Sequence, residues 1–208
     1  TDEIIAALDG LSGGSSDDSG DETSAQEVND LNDSNNSNND TNNDTNNNAL
    51  NDIKNDVVNF VSKGGNLYIY SRRTGNGKTS WAIKIMQNYF NKIWNGNGFR
   101  KRAIFIHVPS FLRAVSESYR KDYDEQFEQL KSRLSSDDLV IWDDIASTQL
   151  TPSDYKYLLS FIDQRVLEGK SNIYTGNLGA DELLANIGQR LKSRVYDCSV
   201  KVEFQGKD

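Results

Sequence analysis

The stretch that most constrains this chain runs from Leu67 to Ile93. An apolar run, LYIY (Leu67–Tyr70), leads into SRRTGNGKTS (Ser71–Ser80) and then into an amphipathic segment. There Ala82, Ile85, Met86, Tyr89, Phe90 and Ile93 recur at i, i+3, i+4 and i+7, the period of a helix with one apolar face. A buried strand turning through small residues into a helix gathers backbone N–H groups where phosphate oxygens can bind. Thr74, Gly75, Asn76 and Gly77 make that turn, and Lys78 is placed to reach the outer phosphates. Thr79 offers a hydroxyl to Mg²⁺, and Ser80 carries the loop into the helix. The pattern G-x-x-x-x-G-K-[ST] is met except at its opening glycine, where Arg72 stands.

Further short apolar runs follow: AIFIHV (Ala103–Val108), LVIW (Leu139–Trp142), NIYT (Asn172–Thr175) and SVKVEF (Ser199–Phe204). Helical patterns separate them. One starts at Thr151-Pro152-Ser153-Asp154, with Thr as N-cap and Pro at the first helical position, and stops at Gly169. An earlier helical stretch (Leu50, Ile53, Val57, Val58, Phe60, Val61) ends at Gly64-Gly65. The expectation is an α/β fold, a mostly parallel five-stranded sheet sandwiched by helices.

Charge divides the chain. Of its 31 acidic groups 13 lie in residues 1–53, which hold no Lys or Arg, so the remainder carries 18 acids against 23 bases. The net −8 therefore says nothing against nucleic-acid binding by the body. Residues 12–48 are Ser, Gly, Asp and Asn with little apolar content, and read as a disordered acidic linker. Residues 1–11 are a short amphipathic segment (Ile4, Ile5, Leu8, Leu11), either a frayed end or a partner-docking peptide. Residues 49–208 form the folded domain. One cysteine (Cys198) and one histidine (His107) exclude a disulfide and a Cys/His zinc site. No apolar run approaches the roughly 20 residues that span a bilayer. The acidic opening, Asp2-Glu3, does not resemble a secretory leader, so a cytoplasmic location without membrane contact is expected.

The second chemical signal is LVIWDDIAS (Leu139–Ser147), which sets Asp143 and Asp144 at the C-terminal tip of a strand, where α/β sheets bind ligands. Asp143 suits the Mg²⁺ shell, and Asp144 suits the proton of an attacking water. Asn177, ending NIYTGN, is either a turn residue or an amide that positions water at a γ-phosphate. Arg190 and Arg194, four apart in QRLKSRV, are either a solvated or salt-bridged pair or cations able to reach a neighbouring subunit's γ-phosphate. Phe111, Leu112, Tyr119, Tyr123, Phe127 and Leu130 read as packing side chains, and His107 as a core or rim residue.

GNGKTSWAIKIMQNYF, LVIWDD, IYTGN and RLKSRV, in this order and spacing, resemble the DnaC/DnaI-type helicase loaders of bacteria and their phages, within the initiator clade of AAA+ ATPases. The phage branch looks closest, and the resemblance covers about residues 50–208. It implies a P-loop AAA+ core without a C-terminal lid, and a slow Mg²⁺-dependent ATPase using ATP/ADP. By the same resemblance Lys78 and Thr79 belong to Walker A, Asp143 and Asp144 to Walker B, and Asn177 is sensor 1. Arg194 becomes an arginine finger acting in trans, with Arg190 accessory. The implied partners are a DnaB-type replicative helicase, single-stranded DNA and further copies of the chain through the arginine-finger face. Arg100, Lys101 and Arg102 beside Phe99 are the candidate DNA contacts. An IstB-like transposition regulator shares these motifs. A non-hydrolysing nucleotide switch is the other alternative, prompted by Arg72 and by Asp144 where many AAA+ proteins carry Glu.

Overall fold

Apolar runs that look unbroken in the sequence divide between two faces once the strands form. The computed structural model describes residues 37–94, 102–118 and 125–204, with backbone alone for 37–45. Five strands form one sheet: β1 (Asn66–Tyr70), β2 (Ala103–His107), β3 (Leu139–Asp143), β4 (Ser171–Gly176) and β5 (Val200–Glu203). Their order is β2-β3-β4-β1-β5, and every adjacent pair is parallel. The helices are α1 (Ser37–Asn55), α2 (Val57–Ser62), α3 (Lys78–Ile93), α4 (Val108–Ser118), α5 (Glu125–Ser136), α6 (Pro152–Leu167) and α7 (Ala180–Lys192). A π turn, Ser193–Asp197, joins α7 to β5.

Side chains alternate across the sheet with the strand period of two. Leu67, Ile69, Leu139, Ile141 and Ile173 pack with Leu50, Val57, Ile85 and Met86 of α1, α2 and α3. Tyr68, Val140, Trp142 and Tyr174 pack on the other face with Phe111, Leu158, Ile162 and Leu191 of α4, α6 and α7. Burial on both faces is why these strands show no polar alternation. Each fully covered large apolar side chain contributes about 1.5–3 kcal/mol. Phe111, Leu112 and Phe127 are core residues and Leu130 packs beside them, while Tyr119 and Tyr123 lie outside the described residues. His107 is half-buried, its Nδ1 2.8 Å from Ser110 Oγ.

The N-terminal boundary differs from the sequence reading. Helix α1 begins at Ser37, inside the stretch read as disordered through Asn48, so the boundary near Ala49 falls within a helix. Asn, Asp and Thr each disfavour a helix by roughly 0.5–0.7 kcal/mol relative to Ala, and local preference alone would leave this segment uncoiled. Tertiary contacts reverse that preference: Leu50 is fully buried, and Asn46 Nδ2 donates to the Glu203 carbonyl of β5 at 2.5 Å. At α6 local chemistry and structure agree. The Thr151 hydroxyl accepts from the Asp154 amide at 3.2 Å, and Asp154 Oδ2 accepts from the Thr151 amide at 3.0 Å.

The end of the sheet opposite the loops is tied by a residue with no sequence signature. Arg165 of α6 is 0 % exposed. Its Nη1 donates to the carbonyls of Leu134 and Asp137 at 2.7 and 2.8 Å, its Nη2 to Ser171 O at 2.7 Å, and its Nε to Asn172 Oδ1 at 2.8 Å. Trp142 Nε1 donates to the same Asn172 oxygen at 3.1 Å. Burial lowers the Arg165 pKa to about 10, so the guanidinium remains charged at neutral pH. This one side chain joins α5, α6, β4 and the segment entering β3. Arg165→Met removes the donors while keeping much of the volume, and leaves buried carbonyls unpaired. The expected loss is about 3–5 kcal/mol, read as a lower midpoint in urea unfolding.

Candidate nucleotide-binding site

The site lies where β1, β3 and β4 end. Gly77 caps α3 at φ +85°, and Gly75 has φ +78°. Added Cβ atoms there would meet nothing within 4 Å, so the backbone conformation, not crowding, requires glycine. The first intrahelical bond of α3 runs from the Trp81 amide to Gly77 O at 3.0 Å, so the amides of Lys78, Thr79 and Ser80 precede the helical ladder. Such a helix start is an anion site. Thr74 and Ser80 flank the turn with exposed side chains. Arg72, at the position of the missing glycine, does not have a positive φ. Its exposed side chain reaches Glu182 Oε2 of α7 at 3.6 Å. A non-glycine residue therefore fits there without strain.

Lys78 is buried at the head of α3, where its Nζ donates to Arg73 O at 3.0 Å and Asn76 Oδ1 at 3.3 Å. Burial pushes its ammonium below the ordinary lysine range, opposed by Asp144 and Asp143. Behind the turn, Ser71 Oγ accepts from the Arg73 amide at 3.2 Å and from Asn76 Nδ2. Thr79 Oγ1 donates to Asp143 Oδ1 at 2.7 Å. Thr175 Oγ1 of β4 donates to the same oxygen at 2.7 Å and accepts from the Asp144 amide at 3.0 Å. Asp144 itself has φ +60°, a left-handed conformation that asparagine and aspartate tolerate best among residues with a side chain. The Ile145 amide holds the turn by donating to Thr175 O at 2.8 Å. Asn177 Oδ1, just past β4, is buried with no hydrogen-bond partner among the described residues.

The structure thus joins Gly77, Lys78, Thr79, Asp143 and Asp144 at one sheet edge. Two residues of that edge carry little sequence signal. Thr175 reads as an ordinary strand residue, and Ser71 as the start of a loop. Thr79 Oγ1 and the Asp143 carboxylate are hard oxygen donors of the kind Mg²⁺ accepts beside phosphates and water. Among the described residues no group of three or more His, Cys, Asp or Glu side chains could hold a metal unaided.

The other candidates lie apart. Arg190, after a break in α7 at Gly188 (φ +72°), donates through Nη2 to Asp163 Oδ2 at 3.0 Å. Arg194, on the π turn, donates through Nε to Asp163 Oδ1 at 2.6 Å. Asp163 of α6 was invisible as a site residue in the sequence, where a lone helical acid reads as solvated surface. Arg102 pairs with Asp138, while Arg100 and Lys101 fall outside the described residues.

No family model matches the sequence, and no curated protein does. Solved structures do. The DnaC helicase loader superposes with a TM-score of 0.63 at 23% identity, over 76% of this chain and 89% of that one. This chain has the helicase-loader and initiator fold. DnaI matches with a TM-score of 0.61 at 18% identity, covering 84% of this chain and 87% of that one. AMPPCP-bound DnaA from Aquifex aeolicus matches at 0.62 and 20% identity, over 79% of this chain and 47% of the longer DnaA. These likenesses show the fold, a five-stranded parallel sheet with helices on both faces.

Thr175→Val keeps the shape of residue 175 and removes the hydroxyl that links Asp143 to the Asp144 amide. The expected result is roughly 10- to 100-fold weaker nucleotide binding in the presence of Mg²⁺ and little change in its absence. Titration with a fluorescent ATP analogue, with and without Mg²⁺, measures both.

Proposed function

We propose that this chain belongs with the DnaC/DnaI-type loaders and is an ATP-dependent loader of a DnaB-type ring helicase onto single-stranded DNA during replication initiation. The observation that carries the reading is the meeting of Thr79, Asp143 and Thr175 on one carboxylate oxygen beside buried Lys78. That arrangement offers a cation ligand, a phosphate-binding lysine and free helix amides within one turn of chain.

In this reading Lys78 leaves Arg73 O and Asn76 Oδ1 for the nucleotide's outer phosphates. Thr79 and Asp143 would hold Mg²⁺, which would supply charge neutralisation to the phosphate oxygens. Water adds to the γ-phosphorus as the bond to the ADP oxygen breaks, and Asp144 takes the water's proton. Asn177 Oδ1, buried without a hydrogen-bond partner among the described residues, orients that water. Arg194, assisted by Arg190, acts on ATP bound to a neighbouring copy. Residues 49–208 carry the ATPase, with α1 extending its N-terminal side to Ser37, and residues 1–11 are the candidate partner-docking segment.

The test measures binding and turnover separately. Lys78→Ala abolishes ATP binding. Arg194→Ala keeps binding and loses roughly 10³-fold in turnover by the assembled protein. A purified DnaB-type helicase with circular single-stranded DNA then reports loading, as rings retained on DNA only with ATP and the wild-type chain. Full ATPase activity of Arg194→Ala as a dilute monomer overturns the trans role. Capture of a transposase and no helicase turns the reading to an IstB-like regulator.

A further inference from the structure

Two cations share one acid at the α6–α7 junction, and their geometry is not symmetrical. Asp163 takes Arg190 on Oδ2 through a terminal nitrogen, and Arg194 on Oδ1 through Nε. The acid is the covered member: its side chain is 15% exposed, against 65% for Arg190 and 30% for Arg194. One carboxylate under two guanidinium groups leaves a unit of positive charge facing outward. The Arg194 bond is the first cause holding the Asp163 carboxyl below the usual carboxylate range, with Arg190 adding to it. Asp163 and Arg190 also line an open groove of about 510 Å³ with Lys156, Leu159 and Leu167, so the surface beside the pair has room for another body.

The edge of Arg194 that Asp163 uses decides what the contact does. A guanidinium recognises phosphate best with two parallel N–H groups, and its Nε–H lies along the stem side of the fork. Asp163 holds the Nε side at 2.6 Å, and Cys198 of the same subunit is a second side-chain partner of Arg194, so the plane of the group is fixed.

We infer that Asp163 is a positioning residue for Arg194, orienting its guanidinium from within the same subunit toward the γ-phosphate of ATP bound to a second copy of this chain. This rests on the trans role given to Arg194 above. Arg194 stands on the π turn that continues α7, beside buried Val195, and α6 reaches its guanidinium through Asp163. Misplacement of a catalytic group by about 1 Å costs on the order of 10²-fold in rate, so an unsupported Arg194 loses most of its effect.

The experiment mixes full-length variants. Asp163→Ala has an intact nucleotide site and an unsupported Arg194. Lys78→Ala has a supported Arg194 and no nucleotide. The expected result is that Asp163→Ala binds ATP as the wild type does and turns it over roughly 10- to 100-fold more slowly at assembling concentrations. An equal amount of Lys78→Ala, inactive alone, then restores turnover, because its Arg194 reaches ATP held by the Asp163→Ala copy. Asp163→Asn, which keeps an acceptor oxygen, shows a smaller loss and the same rescue, and decides the matter if the alanine variant unfolds. Unchanged or faster turnover in both Asp163 variants, or failure of Lys78→Ala to rescue, overturns the inference while wild-type turnover leaves the ATPase reading standing. A wild-type chain that hydrolyses no ATP at any concentration removes both.

Discussion

A single carboxylate oxygen organises the C-terminal edge of the sheet. Asp143 Oδ1 accepts from Thr79, which opens α3 after β1, and from Thr175, on β4. The contact exists because β4 is inserted between β1 and β3, so a hydroxyl on the middle strand lies next to the acid on its neighbour. In a sheet where β1 and β3 were adjacent, no residue of β4 would stand between the Gly75–Gly77 turn and the strand-tip acids. The same hydroxyl accepts the amide of Asp144, whose left-handed backbone costs about 1–3 kcal/mol that the surrounding bonds offset. Position of Asp143 and orientation of Asp144 are thereby coupled through Thr175.

The two ends of the sheet are held by different physics. At the loop end, the short hydroxyl side chains of Thr79 and Thr175 share one anion, Asp143. At the opposite end a buried cation, Arg165, satisfies backbone carbonyls from α5, β4 and the segment entering β3, in a place no ligand reaches. A fully desolvated charge is tolerated there because nearly every donor is used. With that end fixed, strain at Asp144 and Ala146 is confined to the tips of the strands.

The division between legible and illegible features follows the range of the interactions. Strand positions 67–70, 103–107, 139–142 and 172–175, the α6 cap at Thr151 and the phosphate loop are written in contiguous residues, so pattern and turn chemistry disclose them. Asp163 and Arg165, two residues apart on α6, look alike as charged helical positions. One supports a surface arginine and the other is a fully buried staple, and only the packing of α6 against α5, α7 and the sheet separates them. The start of α1 is illegible for the reverse reason: an Asn-rich segment carries no local helix signal, and its docking through Asn46 and Leu50 to distant residues decides its form.

By itself the sequence determined the period of each element, the small residues of the turn at Gly75 and Gly77, and the identity of Lys78, Thr79, Asp143 and Asp144. These are local properties, set by the backbone freedom of glycine, the spacing of apolar side chains and the chemistry of single groups. Tertiary structure alone decided the strand order, which brought Thr175 to Asp143, and the packing of α6, which brought Asp163 to Arg190 and Arg194. Those pairings join residues about 30 positions apart, and a hydrogen bond at that separation exists only after the fold has closed the intervening chain.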